Sequence, residues 1–171
     1  MRRLTILSLV IIFPVLVFSQ EQNSLNRKDI RAEKKAKIEA SVKKIVDLDE
    51  FIFTVRTANP MIGPSINLNA DYQIKLTHDS VYSNLPYFGE ATRIDYGNTE
   101  GGINFKDIMY NFEKKFNSKN SFYEIRFKVI NRNDTYMVSL NISSSGYGNL
   151  KISSNNRQTI SYDGILNKLL E

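Results

Sequence analysis

Few side chains in this sequence are equipped for chemistry, and they gather in four places. Asp95 and Glu100 lie in a glycine-bearing stretch; two carboxyls brought together can hydrolyse a glycosidic bond, one as acid and the other as base or nucleophile. His78 is the single histidine and stands beside Asp79. Neighbours in sequence do not make a triad, because nucleophile, base and orienting acid must meet in space. Tyr87 and Phe88 follow Pro86. Exposed, such rings stack on sugars or peptide groups; packed, they cover a core. Asn155, Asn156, Arg157 and Gln158 form a run of hydrogen-bonding side chains. Arg157 could grip a carboxylate or glycan as a two-pronged donor. The same four residues also suit a turn in which the amides cap loop backbone.

The other chemistries lack their parts. With no cysteine and one histidine, the chain has no thiolate nucleophile, no disulfide framework and no zinc site of ordinary composition. Asp95, Asn98 and Glu100 supply too sparse an oxygen set for calcium. Gly97, Gly101 and Gly102 do not follow a strand-to-helix pattern, so no phosphate-cradling loop is expected. No catalytic residue, cofactor or metal is assigned from the sequence.

The elements that must carry these residues show by period. Phe51, Phe53 and Val55 alternate with Ile52, Thr54 and Arg56; Tyr72, Ile74 and Leu76 alternate with Gln73, Lys75 and Thr77. Tyr123 to Val129 and Tyr136 to Ile142 repeat the alternation, with shorter runs at Ile108-Tyr110-Phe112, Leu150-Ile152 and Ile160-Tyr162. Period two with one dry and one wet face marks antiparallel sheet. Polar turns at His78–Ser80, Asn117–Asn120, Asn131–Asp134 and Ser143–Gly146 separate the strands. The fold class expected is mainly β: an antiparallel meander of seven or eight strands, forming a curled sheet, barrel or sandwich. A last helical turn or two, from Ile165, Leu166, Leu169 and Leu170, is expected to cap it.

Ahead of the sheet are two other segments. Met1-Arg2-Arg3, the apolar run from Leu4 to Phe18 and the small residue at Ser19 have the three-part layout of a secretory leader. The run is shorter than the roughly twenty residues that span a bilayer, and Pro14 interrupts it. Residues 1–19 are therefore read as a signal peptide, and 20–47 as a charged helix and spacer before a β domain at 48–171. Without cysteine the chain is not an acylated lipoprotein. The net charge of +5 is unevenly spread. Arg27 to Asp47 holds eight basic against four acidic residues, whereas Leu48 to Glu171 holds thirteen of each. The basic character therefore belongs to the helix, and nucleic acid is not an expected partner. Ile38, Val42, Ile45 and Val46 give only the second half of the helix an apolar face, so that half should dock and the first half should stay solvated.

Several separated motifs carry a resemblance. The charged helix after the leader, Pro60-Met61-Ile62-Gly63-Pro64-Ser65, Leu85-Pro86-Tyr87-Phe88-Gly89 and Asn155-Asn156-Arg157-Gln158 come in that order. The chain thus resembles a family of short exported proteins of Bacteroidetes, domain of unknown function 4251, with Pro64 set between the usual Gly and Ser. That resemblance implies an exported protein and brings no activity or ligand residues with it. Asp79-Ser80-Val81 also resembles the three-residue O-glycosylation signal of exported Bacteroidetes proteins, which makes Ser80 a candidate acceptor on an exposed turn.

The reading is an exported, non-catalytic envelope protein, periplasmic or extracellular, whose β domain binds an unknown partner or small ligand or builds structure. Tyr87, Phe88, Asn155, Asn156, Arg157 and Gln158 are its candidate binding surface. Membrane association is not expected once the leader is removed. A barrel carrying a small apolar ligand is the alternative, and a hydrolase using Asp95 and Glu100 comes third.

Overall fold

The computed structural model describes residues 27–90, 101–131 and 134–169. The leader, Asp95, Asn98, Glu100 and Leu170 lie outside the described residues. The chain divides into two compact units, Met1–Lys37 and Ile38–Glu171. Helix α1 occupies residues 27–47. In the first unit its side chains are exposed, and Glu33 pairs with Lys37 one turn on at 2.7 Å. Such exposed pairs add little stability.

In the second unit the end of α1 docks on the sheet domain. Val42 and Val46 are buried and Ile45 packs against the same core. Ile38, expected on that face, is instead 40% exposed. Its neighbour Glu39 meets the sheet domain, accepting a hydrogen bond from Ser144 Oγ at 3.2 Å. Lys114 Nζ donates to the Val46 carbonyl at 3.0 Å and pairs with Asp49 at 2.6 Å, tying the helix end to a strand.

Among the described residues ten strands follow: β1 Phe51–Pro60, β2 Ile66–Asn67, β3 Gln73–Thr77, β4 Ser80–Leu85, β5 Ile103–Ile108, β6 Tyr110–Asn117, β7 Phe122–Asn131, β8 Asp134–Ser143, β9 Tyr147–Ser154 and β10 Ile160–Lys168. All pairings are antiparallel, in the order β5-β4-β3-β1-β10-β9-β8-β7-β6, with β2 on β1. The two ends of this order are β5 and β6, and in sequence only Met109 separates them. One kinked segment thus serves as both edges and curls the sheet into a nearly closed barrel. Asn111 takes the left-handed region at φ 53°, and the β6–β7 register shifts between Tyr110 and Glu113. A bulge of this kind bends a strand at a barrel corner. Asn131 Nδ2 on β7 donates to Asp107 Oδ2 on β5 at 2.8 Å across the closure.

The inward positions fill the barrel. Phe51, Phe53, Ile74, Leu76, Val81, Leu85, Ile125, Leu140, Ile142, Leu150, Ile152 and Tyr162 are essentially inaccessible. Phe105 on β5 stacks on Tyr136 of β8 with ring centroids 5.0 Å apart, although the two strands are not neighbours in the sheet. β7, which meets β5 at the closure, lies between them, so the pair packs on the inner side of the closing corner.

Three expectations are corrected. Among the described residues the expected seven or eight strands are ten. The C-terminal helical turns do not form through Lys168: β10 runs Ile160–Lys168, pairs with β1 and β9, and buries Ile160, Tyr162, Gly164 and Leu166 at period two. Finally, Ile108 and Tyr110 are 51% and 46% exposed rather than inward. Ile103, Phe105 and Met109 hold the inward positions. Because strand side chains alternate, a one-residue change of parity exchanges the faces.

Candidate functional site

The register puts the Leu85–Glu90 and Asn155–Gln158 blocks at the same end of the barrel. Phe51 pairs with Leu76, so the start of β1 and the end of β3 mark the end where α1 docks. β4 then runs away from it to Leu85, and β9 runs away from it to Ser154. Beyond those strand ends the two blocks meet. The Tyr87 hydroxyl lies 2.8 Å from the Glu90 carbonyl and 3.2 Å from that of Gln158. The Arg157 guanidinium sits 5.1 Å from the Tyr87 ring centroid and donates to the Gly102 carbonyl at 3.0 Å. Gln158 donates its backbone N–H to the Glu90 carbonyl and its amide to Glu90 Oε2, both at 3.1 Å.

Each of these side chains therefore has a partner within the chain. Tyr87 and Phe88 are half-buried and packed against the core. Burial, the largest influence, raises the Tyr87 phenol above its ordinary range, and the Arg157 charge pulls the other way. Asn155 and Asn156 lie in the bend before Arg157. The Asn155 backbone N–H donates to Asp134 Oδ1 at 3.3 Å, and that of Asn156 to Ser154 Oγ at 3.0 Å. A cleft of about 460 Å³ opens beside this cluster, lined by Tyr72, Asn84, Pro86, Tyr87, Gly102 and Asn104 among others.

Beneath the cluster lies Tyr162, inward on β10 and fully buried, its hydroxyl donating to the Pro86 carbonyl at 2.6 Å. Burial holds this phenol well above the ordinary tyrosine range. A raised folded-state value means that the unfolded chain ionises first. Its contribution to stability is therefore complete below the ordinary tyrosine pKa of about 10 and is lost as pH rises above that. Tyr162→Phe should cost about 1–3 kcal/mol near neutrality, because it leaves the Pro86 carbonyl unpaired. It should also make the alkaline fall in stability shallower. Urea unfolding of both proteins between pH 7 and pH 11 measures both effects, and parallel profiles would remove Tyr162 as the source.

The other singled-out residues lie at the opposite end. His78 and Asp79 form the two-residue connection between β3 and β4, and His78 Nδ1 lies 2.7 Å from Glu50 Oε1. Ser80 is the first residue of β4 and is half-buried, donating to Asp79 Oδ1 at 2.8 Å. If Ser80 carries a glycan, the native protein will run heavier than its sequence mass and Ser80→Ala will abolish the excess. Intact mass spectrometry of both proteins from the native host decides it, and equal sugar on both would exclude Ser80.

A second surface was not singled out by the sequence. On the outer wall, Lys75 pairs with Tyr82 and Tyr82 with Lys106, which makes one row across β3, β4 and β5. Gln73, Asn84 and Asn104 form the next row on the same face. Tyr82 is 41% exposed, and a hollow of about 500 Å³ lies over Gln73, Lys75, Thr77, Ser80, Tyr82 and Lys106. Among the described residues neither lysine has an acidic side chain within ion-pair distance. The only local signal was a tyrosine at an outward position of a short strand; the row itself exists only through pairing.

Among the described residues no group of histidine, aspartate and glutamate could hold a metal ion, and no helix is long and apolar enough to cross a membrane. What the fold and its ends define is a filled, nearly closed antiparallel barrel with a helix docked at one end and an interlocked pair of loops at the other. The family model for the Domain of unknown function DUF4251 matches residues 33–166, and the chain belongs to that family. The crystal structure of a DUF4251 family protein from Bacteroides eggerthii DSM 20697 is similar in fold, with a TM-score of 0.59 and 12% sequence identity over 77% of this chain and 87% of that one. Among curated proteins nothing matches.

Proposed function

We propose that the chain is an exported, non-catalytic β domain of the bacterial envelope that acts by binding through its outer surface. The observation that carries this reading is the filled interior. The inward side chains of Phe51, Phe53, Ile74, Ile125, Leu140 and Tyr162 are essentially inaccessible, and the Tyr162 hydroxyl reaches the Pro86 carbonyl. An interior occupied by its own side chains leaves the outer wall for recognition, and a carrier would instead need an enclosed apolar space. Residues Met1 to Ser19 support export.

Native mass spectrometry of the protein isolated from its own cells tests both halves. The expected product begins at Gln20, as glutamine or its cyclised form, and travels without a non-covalent apolar passenger. An intact Met1 in the membrane fraction would overturn export. A passenger released on denaturation would replace this reading with the carrier.

A further inference from the structure

We infer that the outer wall of β3, β4 and β5 is a binding site for an acidic glycan, a polysaccharide whose sugars bear carboxylates. The inference rests on the proposal that the domain works outside the cell by surface binding, and it names the ligand class. Three features of the face coincide. Tyr82 offers an exposed ring to the apolar face of a pyranose. Lys75 and Lys106 flank it in register, one on each neighbouring strand. At ordinary strand spacing their backbones stand about 10 Å apart with the ring midway. A sugar seated on Tyr82 would therefore have a cation on either side, placed for its own carboxylate and that of the next residue.

The adjoining row adds selectivity. Gln73, Asn84 and Asn104 present three amides, each of which can both donate to and accept from sugar hydroxyls. Bare anions and lipid headgroups would use the lysines alone and would have no need of the ring and the amide row beside them. The hollow over this face, about 500 Å³, is of the size that small ligands occupy. Its charge is also local: the body from Leu48 to Glu171 is balanced at thirteen basic and thirteen acidic residues, so attraction here comes from the placement of Lys75 and Lys106 and not from net charge.

The test uses purified protein of residues 20–171, produced without sugar on Ser80, which borders the face. Hexagalacturonate is titrated by calorimetry, with maltohexaose as the neutral chain, and vesicles containing phosphatidylglycerol are tested by sedimentation. Hexagalacturonate should bind and maltohexaose should bind at least tenfold more weakly. Tyr82→Ala should weaken hexagalacturonate about tenfold, as expected for loss of an aromatic stacking partner. Lys75→Glu and Lys106→Glu should each weaken it by at least that factor, and Lys151→Glu, on an exposed position of β9, should leave it unchanged. Unaltered melting temperatures would show that the variants fold.

No binding of hexagalacturonate, equal binding of maltohexaose, or loss with Lys151→Glu as large as with Lys75→Glu would overturn the site. So would binding to vesicles that depends on the lysines and not on Tyr82, which would assign the face to a lipid surface. Because the protein is supplied already lacking its leader, failure here is separate from failure of export, which the mass of the native protein reports.

Discussion

Gly164→Ala will destabilise the barrel by about 3 kcal/mol or more, at the top of the range for overpacked interiors. An added methyl at Gly164 would run into the Thr54 carbonyl oxygen and stand 2.9 Å from Phe53 Cε1. The carbonyl is main chain of β1, paired beside β10, and cannot swing aside as a side-chain tip can. The Phe53 ring is fully buried, and its other edge is equally close to the backbone beneath it, since a methyl at Gly148 would stand 3.1 Å from Phe53 Cε2. Two glycines on adjacent strands thus make the floor on which that ring lies. Typical domains have only about 5–15 kcal/mol of total stability, so the substitution consumes a large share, and a fall of roughly 10 °C in melting temperature is expected. Gly101→Ala is the matched control. Among the described residues nothing lies within 4 Å of a methyl there, and its effect should stay within about 0.5 kcal/mol. Equal melting of the two variants would mean that Phe53 does not lie against β10 as described.

The second large effect concerns α1. Removing residues 20–35 should change stability by less than about 1 kcal/mol, because solvated surface positions contribute little. Removing residues 20–46 should cost several times more. It takes away Val42 and Val46, which are buried, and Ile45, which packs beside them, at about 1.5–3 kcal/mol for each fully buried aliphatic side chain. It also leaves Lys114 without the Val46 carbonyl that it caps. Chemical denaturation of the three lengths gives the comparison. Equal losses from the two truncations would show that the first half of the helix is packed as well.

How much of this was legible depended on whether each strand wrote its two faces in residues of different kind. β1, β7 and β8 did so: Phe51, Phe53 and Val55 are buried and alternate with polar or half-exposed neighbours, and these strands were read where they stand. β4 did not, because Ser83 is one of its inward residues. It is buried and donates to the Ile103 carbonyl at 2.7 Å, a polar side chain where the alternation wanted an apolar one. In β10 the Ile160-Tyr162 alternation is plain, but the part from Ile165 on reads as helix for a related reason. Gly164 fills an inward position with no side chain, and the leucines after it fit helical spacing equally well. The corner at Met109 changes the parity of everything near it, and no local pattern announces a corner.

The candidate site divides in the same way. That Leu85–Gly89 and Asn155–Gln158 were special could be seen in their composition, but their engagement joins residues far apart in sequence, Tyr87 with Gln158 and Arg157 with Gly102. Local reading could offer each block only a turn or a ligand. Their pairing with each other shows only in the fold. The Lys75, Tyr82 and Lys106 row is invisible for the opposite reason, since each member is an ordinary outward residue until the register aligns them.

The place of β10 in the sheet governs when this protein can exist at all. The last strand in sequence is an interior strand of the wall, inserted between β9 and β1, the first, with Phe51 opposite Lys168. A chain emerging from a ribosome amino end first therefore offers β1 no β10 to pair with until β2 to β9 have all been made. Everything made earlier remains two loose sheets with a gap between them. Closure through contacts so distant in sequence is intrinsically slow. Until β10 arrives the wall stays open between β9 and β1, and the polypeptide stays threadable.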